Sequence, residues 1–391
     1  MRGRFLLIAA VTCVAATTNA NPVGQSADKI PAASFENPQA LEGFTTALKA
    51  QRAKTASRPL RISYFGDSLT ADDQITNALR AKLAAHLGDG GPGFAWAVEP
   101  HPYNQHRALS RWVIGAWRVN GISTQPAPDH LLGLGGSAET ASGGTIRFAP
   151  ASPVSSIDVH YLAQPRGGTL SILADGRPIT SISTSAEKKT GSFTTAALPE
   201  GAKKIELRAS GRVRLFGASL EAASGAVVDN LGVNSATAKQ MSRYNLADHL
   251  RNQLAHRAPD LAVVMLGTNE AEWLAASGSG MAEHEKLFGE LLASVRAANP
   301  KGSCLVVSPL DQTDWRAKNM PPRASIPAMV DAQRRAATAN GCAFWDVYTW
   351  MGGKGASKQW LRRGLLLKDY QHPTTLGAQR IAAALYAGLV K

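Results

Sequence analysis

From Ala226 onward the chain alternates short apolar runs with longer amphipathic ones, and that rhythm constrains its fold more than any single motif. Residues 227–231, 260–266, 304–309 and 342–347 read as strands. Residues 236–256, 282–298, 326–340 and 376–389 read as the helices between and after them. Strands separated by helices build a parallel sheet covered on both faces. One more strand of this kind stands far upstream, at residues 61–66 (RISYFG). It is followed by a predicted helix over 72–87, with Ile75, Leu79, Leu83 and Leu87 along one apolar stripe.

Between the two parts, residues 100–223 lose helical periodicity. They show short alternating runs instead, among them TIRFAP, SIDVHYLAQ, TLSILADG and VRLFGASLEA. Asp175-Gly176 is a hairpin dipeptide between two such runs. The pattern predicts an all-β, jelly-roll-like sandwich inserted into the α/β domain. The expected organisation is a signal peptide over 1–20, a leader over 21–59 with a helix near 38–53, a discontinuous α/β domain of 60–99 and 224–391, and the insert. Tyr103, Trp112, Trp117 and Tyr161 are either a sugar-stacking platform or, as is commoner for aromatics in a small sandwich, core. The glycine-rich 88–94 stretch lacks the Lys-Ser/Thr of a phosphate loop and reads as a turn.

The first residues pair basic Arg2 and Arg4 with an apolar run and a small-residue Thr-Asn-Ala site, as in a secretory signal peptide. Cys13 fits a lipidation site poorly, and no other stretch is apolar for long enough to span a membrane. Cleavage after Ala20 removes two arginines and no acid, lowering the formal charge from +13 to +11. An exported basic protein suits an anionic cell-wall polymer, although the charge also serves solubility alone; no long Lys/Arg cluster points to nucleic acid. Cys304 and Cys342 then remain, each opening a strand-like run. They are expected either to pair on neighbouring strands or to stay as buried thiols, and neither has metal-ligand spacing.

In an open parallel sheet, ligands sit beyond the carboxyl ends of the strands where strand order reverses. Ser68, Gly232 and Asn269 each follow such an end, and Asp369 and His372 share a turn before the last helix. Together they supply a nucleophile, donors for an oxyanion, and a base with its orienting carboxylate. These residues fall in four blocks, Gly66-Asp67-Ser68-Leu69, LGVNSA around Gly232, Gly267-Thr268-Asn269-Glu270, and Asp369-Tyr370-Gln371-His372. The blocks resemble those of the GDSL, or SGNH, serine esterases over residues 60–96 and 226–390. The resemblance implies a flavodoxin-like three-layer α/β/α core, a Ser68–His372–Asp369 triad and an oxyanion hole from Ser68, Gly232 and Asn269. It also implies neither metal nor organic cofactor. In its size, export signal and the position of its insert, the chain looks like bacterial peptidoglycan O-acetylesterases.

The expected activity is therefore removal of O-acetyl groups from cell-wall polysaccharide. Trp273, Gln312, Asp314 and Trp315, in loops after the third and fourth strands, are candidate substrate-wall residues. The same core also serves lipolytic esterases, lysophospholipases and O-acetyltransferases, and a wall-binding module with an inactive core is the reading outside enzymes.

Overall fold

A computed structural model describes residues 30–245 and 247–391; the expected signal peptide and Cys13 lie outside them. Five parallel strands form the central sheet: β1 (Leu60–Gly66), β2 (Ala226–Gly232), β3 (Leu261–Met265), β4 (Ser303–Val307) and β5 (Ala343–Trp345), in spatial order 2-1-3-4-5. That is the flavodoxin-like order, with its reversal at β1. Gly66 pairs with Gly232 on one side and Met265 on the other, so three strands end level. The strands are almost wholly apolar and buried because helices cover both faces of the sheet. Among the described residues, no helix is long and apolar enough to cross a membrane.

The predicted helix over 72–87 begins later, as Gln74–Leu87, after a separate short helix, Ser68–Ala71. Ile75, Leu79 and Leu83 of the stripe are buried. The helix expected over 236–256 is split into Ala238–Arg243 and Ala247–Arg257. The physical reason lies at the break. Buried Asn245 spends its side chain on the Gly133 carbonyl (2.7 Å) and the Leu132 N–H (3.4 Å), which holds the inserted segment.

The inserted strands form two antiparallel sheets. One orders Thr190–Ala197, Ser156–Ala163, Val213–Glu221, Gly136–Thr140 and Arg118–Gly121; the other orders Leu109–Gly115, Gly143–Pro150, Ile205–Ser210, Thr169–Ala174 and Arg177–Ser183. Alternate residues, including Ile146, Phe148, Val159, Ile172, Leu207 and Leu215, fill the space between them. The Asp175-Gly176 turn has positive φ at both residues (48° and 81°), as a tight hairpin requires. Of the four aromatics, Tyr161 is core and Trp117 packs against it, but Tyr103 and Trp112 face solvent.

Strand pairing begins before residue 100, because Gly93–Trp96 pairs with Val213–Glu221. Along this strand Phe94 and Trp96 join the α/β core cluster, whereas Ala95 and Ala97 join the sandwich cluster. The period-two alternation thus divides one strand between two cores. A buried ionic network sits where the chain leaves and re-enters the α/β part. The Arg257 guanidinium holds Asp229 through two bonds (2.9 and 2.8 Å) and Glu221 at 2.5 Å, and Arg61 also holds Glu221. Asp229 further accepts from the Phe94 N–H and the Ser63 hydroxyl. Both carboxyls are buried, which alone would raise them, but the arginines hold them below their ordinary range. Cys304 of β4 and Cys342 beside β5 form a disulfide, choosing pairing over free thiols.

Candidate active site

β1 must end where a backbone approaches closely. A Cβ on Gly66 would stand 2.1 Å from Thr70 Oγ1 and 2.9 Å from the Met265 carbonyl, so only glycine fits. Asp67 then caps the Ser68–Ala71 helix, accepting from the Leu69 N–H (3.0 Å), and its other oxygen accepts from the Thr268 N–H (3.3 Å). One carboxylate therefore ties the turns after β1 and β3 together. Burial dominates its environment and pushes Asp67 up to about 6, against the lowering effect of those two bonds.

Ser68 Oγ lies 2.8 Å from His372 Nε2, across 304 positions of sequence. His372 Nδ1 lies 2.8 Å from Asp369 Oδ2, and Asp369 Oδ1 accepts the N–H groups of Gln371 and His372. A carboxylate only accepts, so Nδ1 carries the imidazole proton and Nε2 turns its lone pair toward the serine hydroxyl. Burial lowers the basicity of His372, but Asp369, with Asp67 and Asp72 behind it, outweighs burial and raises it above the ordinary value. Asp369 moves the other way, held down by the bonds it accepts despite partial burial. The arrangement is able to move a proton from Ser68 Oγ to His372 while Asp369 stabilises the resulting imidazolium.

The structure distributes the expected oxyanion donors unevenly. The Ser68 N–H has no partner among the described residues. The Asn269 amide donates one bond to the Ala236 carbonyl (2.9 Å), leaving its second hydrogen. The Gly232 N–H, however, donates to Asn230 Oδ1 (3.1 Å) and is already committed. Three residues on, Ser235 takes a left-handed φ of 63°. Unlike the N–H groups of Val233, Asn234 and Ala236 around it, its own N–H donates to no described residue. Sequence reasoning passed over Ser235 because a serine gives no sign of a left-handed position. It also passed over Asn104, which is buried and bonds the Gly232 carbonyl (2.6 Å) and the Asn234 N–H (3.2 Å) from the segment entering the sandwich.

The expected substrate-wall residues separate. Trp273 and Trp315 are 62% and 46% exposed. Asp314 is half-buried, accepts from the Arg316 N–H and lies 3.7 Å from Arg323. Gln312 is not part of an open wall; it is buried and donates to the Thr268 carbonyl (3.0 Å), supporting the Asn269 turn from beneath. Gln371, beside His372, donates to Glu272 (3.2 Å), so the Trp273 and His372 loops are joined.

Residues 195–380 match the sequence profile of the GDSL-like Lipase/Acylhydrolase family. The match includes the Gly232, Asn269 and Asp369–His372 blocks, and Ser68 lies upstream of it, across the insert. No curated protein matches the sequence. Among solved structures, a peptidoglycan O-acetylesterase is similar over 88% of this chain and 93% of its own, with 24% identity and a TM-score of 0.74. That likeness covers the fold, sandwich included. An acetylxylan esterase from Geobacillus stearothermophilus is similar over 42% of this chain and 73% of its own (16% identity, TM-score 0.31). A carbohydrate esterase family 2 enzyme with a carbohydrate binding domain, from Corynascus thermopiles (Myceliophthora fergusii), is similar over 70% and 98% (14% identity, TM-score 0.32).

Proposed function

We propose that this chain, a carboxylic ester hydrolase of the GDSL type, is exported and removes O-acetyl groups from cell-wall polysaccharide, above all peptidoglycan, through Ser68, His372 and Asp369. The observation that carries the catalytic part is the continuous pair of 2.8 Å contacts from Ser68 through His372 to Asp369. Ser68 Oγ attacks the ester carbonyl carbon as its proton passes to His372 Nε2. The tetrahedral oxyanion is held by the N–H of Ser68, the Asn269 amide and a backbone N–H of the turn after β2. Of that turn, Ser235 is the uncommitted donor; Gly232 serves only by giving up Asn230. Collapse breaks the bond to the sugar oxygen, which leaves with the proton from His372. Water then gives a proton to His372 and attacks the acyl-enzyme, and acetate leaves as Ser68 regains its hydrogen.

Three observations support an exported glycan substrate. The basic, apolar, small-residue start fits secretion. The Cys304–Cys342 disulfide suits an oxidising compartment. The chain also shares its whole architecture, insert included, with the peptidoglycan O-acetylesterase structure. Exposed Trp273, two residues past Ala271 in the Asn269 loop, and Trp315, which carries Arg316 over one ring face, are the aromatics available for sugar stacking. The deciding experiment is mass spectrometry of O-acetylated peptidoglycan before and after treatment. Wild type should strip acetyl groups and Ser68→Ala should not; unchanged polymer with active wild type on small esters refutes the substrate.

A further inference from the structure

Away from Ser68, where the sandwich meets the α/β core, three side chains converge that the esterase chemistry does not use. Asp158 and His160 are two apart on strand Ser156–Ala163 and so face the same way. His256 comes from the last turn of helix Ala247–Arg257. His256 Nε2 lies 2.7 Å from Asp158 Oδ2, and His160 Nε2 lies 3.5 Å from that same oxygen. All three atoms fall within 4.8 Å of one another.

The surroundings fix each group's orientation. Thr195 donates its hydroxyl to the other Asp158 oxygen (3.0 Å), and Phe193 stacks flat on His256 with ring centres 3.6 Å apart. His160 is wholly buried, and its Nδ1 stands 3.0 Å from Gln253 Oε1. An amide oxygen only accepts, so Nδ1 carries the proton and Nε2 presents a bare lone pair. That atom has no hydrogen-bond partner and faces a carboxylate oxygen, another acceptor. Two acceptors 3.5 Å apart, one of them wholly buried, repel unless a cation lies between them.

We propose that Asp158, His160 and His256 bind one divalent transition-metal ion, with zinc the best fit, and that the ion clamps the inserted sandwich to the core. Two imidazole nitrogens and one carboxylate oxygen suit zinc and its late first-row neighbours and disfavour magnesium or calcium, which take oxygen. Zinc–ligand bonds of about 2.0–2.1 Å at tetrahedral angles put ligand atoms about 3.3 Å apart. The His160–Asp158 gap already matches, and the His256–Asp158 gap needs only to open slightly. Gln253 and Thr195 occupy the supporting positions that metal-bound imidazoles and carboxylates use to hold their orientation. Asp158 and His256 keep 20% and 31% of their side chains exposed, which gives an ion a way in and leaves a fourth position for water.

The test uses the full chain, stripped with chelator and titrated with cobalt(II) or zinc. Wild type is expected to bind one equivalent, with visible cobalt bands that zinc abolishes, and zinc should raise its unfolding temperature. His256→Ala, at the exposed end, should weaken binding by about 100-fold or more and lose both signals, as should Asp158→Asn. Near-UV circular dichroism verifies that both variants fold. Failure of folded wild type to bind either metal at micromolar concentration overturns the proposal, because the gap is then bridged by a proton. Equal binding by wild type and both variants overturns it as well. Hydrolysis of p-nitrophenyl acetate by His256→Ala should equal wild type, which separates this site from the esterase reading.

Discussion

His372 sits between one serine and several acids, and that placement sets how the esterase should respond to pH. The imidazole must be neutral to accept the Ser68 proton, and Asp369, Asp67 and Asp72 raise its proton affinity. The acidic limb of kcat/KM should therefore lie above the ordinary histidine value of about 6.5. Asp72→Asn removes one of those charges while an amide oxygen keeps the bond to the Gln74 N–H. The limb should move to lower pH with little change in the plateau, and an unmoved limb in a pH–rate profile rejects this origin. Ser68→Ala should lower turnover by at least about 10³-fold and Asn269→Ala by about 10²–10³-fold, both measured on p-nitrophenyl acetate. Ser235→Gly should keep activity and hold or raise stability by up to about 1 kcal/mol in urea unfolding, because its left-handed φ suits glycine. The positions of Ser68, Asn269, Asp369 and His372 were legible because each follows a strand or precedes a helix. The engagement of Gly232 by Asn230 was not, because it depends on a side chain two residues away turning back on the chain.

Elements were legible where local pattern alone decides them and illegible where distant partners do. The strand–helix alternation and the Asp175-Gly176 hairpin follow from periodicity and turn chemistry. The break between Arg243 and Ala247 does not, because it exists to let Asn245 reach residues 132 and 133. The Arg257 network is of the same kind, joining β1, β2, a helix and the sandwich's last strand through charges that look like surface residues in the sequence. Arg257→Met should cost about 3–5 kcal/mol, since it leaves buried Asp229 and Glu221 without that partner. Urea unfolding measures it, and a cost under 1 kcal/mol would mean that Arg61 and the backbone suffice. The disulfide closes a sequence separation of 38, worth about 4 kcal/mol on the chain-entropy account. Thiol labelling of denatured protein purified without reductant should find both cysteines blocked, and Cys304→Ser with Cys342→Ser should lower the unfolding midpoint.

At the scale of the whole molecule, the sandwich is fused to the core rather than hung from it. Phe94 and Trp96 belong to the α/β cluster although their strand pairs with Val213–Glu221, so excising the insert would strip cover from the catalytic half. The insert's contribution to polymer binding is better tested by neutralising its surface lysines and arginines, which should weaken binding to isolated wall most at low salt. Turnover along a p-nitrophenyl series should fall from acetate to octanoate; a rise, with no acetate released from wall, replaces the glycan reading by a lipolytic one. The 304-residue separation between Ser68 and His372 has a consequence in time. A ribosome makes Ser68 304 residues before it makes His372, with two β-sheets to be formed in between. A nascent chain that stops short of His372 holds Ser68 without that partner, so the hydrolytic clock starts only once His372 has been made. Onset of ester cleavage during refolding would then report the docking of the final turn and its helix, Thr375–Leu389, rather than the collapse that precedes it.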